Sequence, residues 1–346
     1  MIPHNKPTLG EEETLAASRV FASGWLAQGM EVEHFENELC AFLGLPAGHA
    51  VALSSGTAAL FMSLWVLQAK GKCVAFPAYA CAALPNAVAM AGATECVLDV
   101  AAGSPNLDLQ IAARSGADIL IAPHMYGLPM DLSKLDNIAV IEDCAQSLGA
   151  KVNGIAAGLQ TGVGIFSFYA TKLITTGGQG GALISRDKSL VDQVRDYREF
   201  DCRRDGKHRF NFQMTDLQAA VGRAQLVKLP DWLAQRARLF AIYRDAGLDL
   251  LDVEAGQKIE PVRYRAVVKT SEPQRVVAAL ADKGVKAIIP LEDCELLGDG
   301  KKFPHALALT RSTVSLPVYP TLAEHDAEKI AHIVRGIVRG VGRGEA

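Results

Sequence analysis

The chain has 346 residues, 49% of them hydrophobic, enough for a large core and for two domains or one large domain with an appendage. Thirty-five Lys and Arg against 38 Asp and Glu leave a formal charge of -3, without the basic footprint that nucleic-acid binding requires. The seven cysteines, at 40, 73, 81, 96, 144, 202 and 294, form no CxxC pair, which fits a reducing cytosol with neither a disulfide framework nor a metal site. No segment reaches membrane-spanning length free of charge or glycine, and Met1 to Pro7 carries no apolar signal core, so a cytoplasmic protein is expected.

From about residue 50 to 185, short apolar runs alternate with stretches of helical pattern. The runs are 50–53, 73–76, 94–98, 119–122, 138–141, 163–168 and 182–184. Several are apolar on both faces, as strands covered by helices on both sides are. Helices are predicted over 57–70, 80–91, 188–200 and 215–228, the last opened by the capping box Thr215-Asp-Leu-Gln218. Past Pro230 the pattern changes: a helix over 232–246, alternating segments at 262–268 and 285–289, and helices over 272–283 and 324–338. The expected architecture is a large α/β domain over 1–229, built on a mainly parallel seven-stranded sheet covered by helices. A smaller α+β domain over 230–346 would hinge near Leu229-Pro230, with a frayed tail from Arg339.

Four segments carry chemistry. Leu53-Ser-Ser-Gly-Thr-Ala-Ala-Leu60 sets small polar residues where a strand ends and a helix begins, a junction suited to a phosphate and equally to a plain helix cap. Ile138-Ala-Val-Ile-Glu-Asp-Cys-Ala-Gln146 ends a strand on two carboxylates at the edge where α/β sheets hold ligands. There Asp143 either anchors a protonated ring nitrogen or caps a helix, Glu142 points to the opposite side, and Gln146 faces the same crevice as Asp143. Ile165-Phe-Ser-Phe-Tyr-Ala-Thr-Lys172 brings a strand-end serine, Ser167, and an amine able to form an imine, just before Gly177-Gly-Gln-Gly-Gly181. His124 ends a strand and reads either as a cofactor neighbour or as a loop hydrogen-bonder. Arg203 to Arg209 reads as a phosphate or carboxylate contact or as a solvated loop, and Arg311 and Tyr319 flank the Ser315-Leu-Pro317 segment.

These motifs, with Asn211-Phe-Gln-Met-Thr-Asp-Leu-Gln-Ala-Ala220, resemble the DegT/DnrJ/EryC1/StrS family of pyridoxal-phosphate-dependent sugar aminotransferases, from Gly24 and Gly29 to Ser315-Leu-Pro317. The resemblance implies a fold-type-I transaminase moving an amino group from glutamate or glutamine to a keto-sugar, most of all a nucleotide-linked one. It implies that Lys172 forms the Schiff base, Asp143 pairs with the pyridine nitrogen, and Gln146 lies beside the ring. Gly56, Thr57 and Ser167 would hold the phosphate, with Asn211 reaching it from the neighbouring subunit of a homodimer with shared sites. The pattern departs at Cys81, where a ring-stacking aromatic is expected and for which Tyr79 is a substitute. It departs also in the Gly-Gly-Gln-Gly-Gly turn and at Pro290-Leu-Glu292, where a histidine is expected. The alternatives are a deoxysugar dehydratase, against which Lys172 counts because those relatives carry histidine there, and a catalytically silent binding or regulatory subunit.

Overall fold

The computed structural model of the protein describes residues 1–341 apart from 136 and 255. After helices α1 (Glu11–Ser23) and α2 (Met30–Leu43), strands and helices alternate: β1 (Ala50–Leu53), α3 (Gly56–Val66), β2 (Cys73–Pro77), α4 (Ala83–Met90), β3 (Thr94–Leu98), α5 (Leu109–Ala113), β4 (Ile119–Pro123) and β5 (Ala139–Asp143). The short strands β6 (Lys151–Val152) and β7 (Ile155–Ala156) precede β8 (Val163–Ser167), β9 (Gly181–Ile184), α6 (Lys188–Arg198) and α7 (Asp216–Asp245). The main sheet has seven strands in the order β1-β9-β8-β5-β4-β2-β3. Only β9 runs against its neighbours, pairing antiparallel with β1 and with β8. All seven predicted apolar runs lie in this sheet, and the expected mainly parallel, helix-covered architecture is what forms.

Alternation explains why the runs are apolar throughout. Val51 and Leu53 pack with α3 and α6 on one face, while Ala50 and Ala52 meet α2 and α7 on the other. Because β2, β4, β5 and β8 run parallel, their carboxyl ends share one edge, where such sheets hold ligands.

The expected break at Leu229-Pro230 is not a break in local structure. The two helices predicted on either side of it are one 30-residue helix, α7, with Pro230 inside. A proline in a helix interior costs about 3 kcal/mol. Along α7, Leu226 and Leu229 bury against the main sheet, and Leu239, Phe240 and Tyr243 bury in a second core. Burying each such side chain is worth roughly 1.5–3 kcal/mol, so packing outweighs the lost hydrogen bond.

The second core is built from β11 (Ala266–Lys269), which follows the two-residue β10 (Ile259–Glu260), from β12 (Thr313–Leu316) and from α8 (Pro273–Asp282) and α10 (Glu324–Val341), with α9 (Pro304–Thr310) beside it. Strands β11 and β12 pair antiparallel. Two expectations change here. Residues 285–289 form no strand, only single bridges from Val285 to Ile2 and from Ile288 to Ser315. Helix α10 continues to Val341, past the expected fraying point at Arg339, and residues 342–346 lie outside the described residues. The first residues of the chain cross to this part: Ile2 pairs with Val285, and His4 meets Ser315. Among the described residues no helix is long and apolar enough to cross a membrane.

Candidate active site

Strand β9 is the piece that gathers the motifs. Its first residue, Gly181, lies between Leu53 of β1 and Ser167 of β8. A side chain there is excluded, since an added Cβ would lie 2.4 Å from the Ser55 carbonyl oxygen and 2.6 Å from the Gly56 nitrogen. That close approach brings the start of α3 against the end of β8: a Cβ on Gly56 would lie 2.8 Å from Ser167 Cβ and 3.0 Å from its Oγ. Ser55 caps α3 by accepting from the Ala58 N–H at 3.1 Å. The first N–H groups of the helix have no intrahelical acceptor, and together with the helix dipole they favour an anion beside Ser167. The segment carrying Asn211 is tied to the same place, because Ser54 donates its N–H to the Phe212 carbonyl at 2.8 Å while Asn211 itself is exposed.

Asp143 ends β5 at the shared edge and is buried. Burial pushes its carboxyl above the usual carboxylate range, although the Ala145 N–H, which donates to Oδ1 at 2.9 Å, and the nearby Lys172 both act the other way. Its Oδ2 accepts no hydrogen bond from the described residues. Gln146 accepts the Tyr126 N–H at 2.7 Å through Oε1, while its amide nitrogen lies 3.9 Å from Met125 Sδ, a weak acceptor.

Lys172 lies in the connection that carries β8 into β9. The turn is closed by hydrogen bonds from Phe168 N–H to Gly180 and from Ala170 N–H to Gly178. The lysine is half-buried, makes no ion pair among the described residues, and holds Nζ 5.5 Å from the centroid of the Tyr264 ring. Cys81, after β2, is open to solvent yet densely surrounded, as a group on the floor of a cleft is. Burial pushes its thiol up, Asp143 pushes the same way, and Lys172 opposes, so both charged groups lie within electrostatic reach of Cys81.

Several residues turn out to be structural. Tyr79, the expected substitute for a stacking aromatic, is fully buried, hydrogen-bonded to the Tyr126 hydroxyl at 2.7 Å and packed edge-on against that ring, so it is not free to stack in the cleft. Glu142 points away from Asp143, as strand alternation predicts, and its carboxylate accepts the N–H groups of Gly158 and Thr161, both at 2.8 Å. His124 accepts the Met130 N–H at 3.1 Å on Nδ1, which leaves Nε2 to donate to Glu142 at 3.2 Å: the loop-bonding reading of this histidine holds. Although Cys144 lies near this pair, the imidazole lone pair is already used. Arg209 pairs with Asp205 and Asp196, and Arg311 with Asp293 at 2.7 Å; Tyr319 is buried. Glu292 is exposed and begins a 3-10 turn.

Two residues escaped the sequence reading: Tyr264, whose ring lies by Lys172, and Arg265 on that same ring. Their only local signal is charge in an otherwise apolar run, Val262-Arg-Tyr-Arg-Ala-Val-Val268. Tyr264 is buried, yet Lys172, Arg265 and Arg236 around it outweigh desolvation and bring its phenol below the usual tyrosine range.

A family model described as the DegT/DnrJ/EryC1/StrS aminotransferase family matches residues 7–335. Among curated relatives, the dTDP-3-amino-3,4,6-trideoxy-alpha-D-glucose transaminase of Streptomyces venezuelae is 30% identical over 352 residues, covering 94% of this chain and 92% of the relative. The UDP-N-acetyl-3-dehydro-alpha-D-glucosamine 3-aminotransferase of Acidithiobacillus ferrooxidans is 29% identical and covers 90% of each chain. Among solved structures, the aminotransferase TlmJ from Streptoalloteichus hindustanus superposes with a TM-score of 0.91 at 26% identity, covering 99% of this chain and 100% of its own. The chain belongs to the DegT/DnrJ/EryC1/StrS aminotransferase family and is a pyridoxal-phosphate-dependent transaminase.

Proposed function

We propose that the protein transfers an amino group from glutamate or glutamine to a nucleotide-linked keto-sugar in the making of an amino sugar or a surface polysaccharide. The observation that carries this reading is a convergence at one sheet edge. An amine that has no carboxylate partner among the described residues, a buried carboxylate with an oxygen they leave unused, and a glycine-lined helix start lie together there. The two curated relatives above are named for amino transfer on dTDP- and UDP-linked sugars.

The residues fit pyridoxal phosphate. Gly56, Thr57 and Ser167 would take its phosphate at the start of α3, where a side chain on residue 56 would close the space. Asp143 would meet the ring nitrogen with Oδ2, Gln146 would offer its amide nitrogen beside the ring, and Cys81 would pack where the family has an aromatic. The cofactor supplies an electron sink for the carbanion left when a proton departs from the reacting carbon. Asp143 keeps the ring nitrogen protonated, which gives its buried negative charge a partner. Lys172 Nζ takes the proton from the donor's α-carbon and later delivers one to the carbon of the sugar.

Asn211 we assign to the phosphate of a second subunit. Its exposure and the apolar surface around it support a homodimer with shared sites: Phe210 is 59% and Met90 65% exposed, and both border a recess with Thr57 and Phe61. Mixing inactive Lys172→Ala and Asn211→Ala subunits then restores part of the activity, and no restoration refutes shared sites.

The function is tested on purified protein given pyridoxal phosphate. A visible absorption band that Lys172→Ala abolishes, and that L-glutamate bleaches with release of 2-oxoglutarate, is the expected result. A panel of nucleotide-linked keto-sugars, assayed on the amine-loaded form, identifies the acceptor; absence of the band in the wild-type protein refutes the reading.

A further inference from the structure

We propose that the crevice between the N-terminal segment, the loop carrying Lys172 and helix α7 binds one small monovalent anion, a halide, held by Arg236 Nε and the Thr8 hydroxyl. The proposal goes beyond the transaminase reading and stands without it, because it assigns an ion site and not a substrate.

The first residues of the chain form a strap fastened at several points. Ile2 donates its N–H to the Gly284 carbonyl at 2.7 Å, Asn5 Nδ2 donates to the Thr171 carbonyl at 2.9 Å, and the Thr8 carbonyl accepts from Gln225 Nε2 at 2.8 Å. Where the strap meets the Lys172 loop and α7, it helps to enclose a crevice with room for about one small ion or water molecule. Thr8 and Arg236 both line it, and Thr8 Oγ1 and Arg236 Nε are sealed from bulk solvent without a hydrogen-bond partner among the described residues. Nearly all buried polar atoms in folded proteins are hydrogen-bonded, so two unpartnered donors on one crevice point to a ligand that accepts from both.

Charge decides what that ligand is. Lys6, Lys172 and Arg236 line the crevice, and no carboxylate does. Other buried or half-buried arginines have acidic partners: Arg198 has Glu36, and Arg223 has Glu31 and Glu38. Arg236 is buried and makes no ion pair among the described residues; its Nη1 donates to the carbonyls of Arg263, Tyr264 and Val318. Burial lowers its guanidinium to about 10, as expected of a cation held without a counter-charge. Glu13 reaches Gln225, another residue of the crevice wall, but its carboxylate already accepts from Gln225 Nε2 at 2.7 Å, from Lys228 at 2.8 Å and from the Gly10 N–H at 2.7 Å.

A water molecule would accept from both donors yet leave the charge of Arg236 unbalanced. A halide accepts from both and balances it. The size of the crevice excludes a phosphate group or an amino acid, so this site is separate from those that take cofactor and substrate. By joining Thr8 of the strap to Arg236 of α7, the ion fastens the strap on the side where Asn5 already grips the carbonyl of Thr171, the residue before Lys172.

The test uses the full chain saturated with pyridoxal phosphate, and bromide and chloride as probes. Crystals grown in sodium bromide and measured at the bromine absorption edge should show an anomalous peak in contact with Arg236 Nε and Thr8 Oγ1. In solution, chloride at about ten times its half-effect concentration should raise the melting temperature by about 2–4 °C over gluconate at equal ionic strength. Thr8→Val, which removes one donor, should lose most of that rise, and Thr8→Ser, which keeps the hydroxyl, should retain it. Density in the crevice without a bromine signal would assign it to water and overturn the proposal. A bromine peak with no chloride-specific rise in melting temperature would mean an adventitious ion only and overturn it as well, as would a full rise in Thr8→Val. The readouts are a diffraction peak and a melting temperature, so failure of the transaminase reading, seen as absence of the visible band, leaves them unaffected.

Discussion

Replacing Asp143 by Asn separates the cost of a buried carboxylate from its use. The carboxyl is raised above its ordinary range because burial outweighs the Ala145 N–H bond and the charge of Lys172. A raised acid pKa means that the folded, cofactor-free protein holds the proton more tightly than the unfolded chain. The ionised group therefore costs stability above its folded pKa, and the cost vanishes below its unfolded value of about 3.9. Asparagine imitates the neutral form and keeps the oxygen that accepts from Ala145, 2.9 Å away. Without cofactor, Asp143→Asn is thus at least as stable as wild type at pH 8 in urea unfolding, and the two converge toward pH 4. With cofactor the order reverses. A charged hydrogen bond is worth about 1.5–3 kcal/mol, so affinity for pyridoxal phosphate falls about 10- to 150-fold, read by titrating the visible band. A variant less stable than wild type without cofactor at pH 8, or one that binds cofactor equally well, would refute the assignment of Asp143 as a destabilising group kept for its partner.

Gly56→Ala places a Cβ 2.8 Å from Ser167 Cβ and 3.3 Å from its Cα; the overpacking, about 1–3 kcal/mol, exceeds the helix preference of alanine, about 1 kcal/mol, and weakens phosphate-dependent cofactor binding more than it lowers the melting temperature. Alkylation of Cys81 by iodoacetamide, followed by mass spectrometry, should be slow at pH 7, speed up above the usual thiol range because burial raises this thiol, and be suppressed by bound pyridoxal phosphate; labelling indifferent to cofactor would place Cys81 outside the site. His4, lowered to about 3, resists protonation in the folded state, so stability falls with acid by at most about 1.4 kcal/mol per pH unit as pH drops from about 6.5 toward 3; His4→Gln removes that part of the slope in urea unfolding at pH 7 and pH 5.

The strands were legible because a sheet covered on both faces makes each strand apolar throughout, and Ala50 to Leu53 shows both halves of that pattern at work. The loop-bonding alternative for His124 was legible from its place at a strand end. The two helices predicted on either side of Pro230 are one because proline's effect is local, while α7 is held by side chains in two cores. Tyr79 misled for a similar reason: two residues from Cys81, it has the right chemistry for stacking, but its hydroxyl and ring are claimed by Tyr126.

What the sequence by itself determined is the order of the strand ends, helix caps and glycine turns that carry the candidate site residues, because these are written in adjacent residues. Only the tertiary structure decided what surrounds them. The reversed strand β9 presses Gly56 against Ser167, and the run before β11 brings the Tyr264 ring beside Lys172. Those neighbours lie far apart along the chain, and contacts between distant segments are set by how sheets and helices pack, which no spacing within one segment encodes.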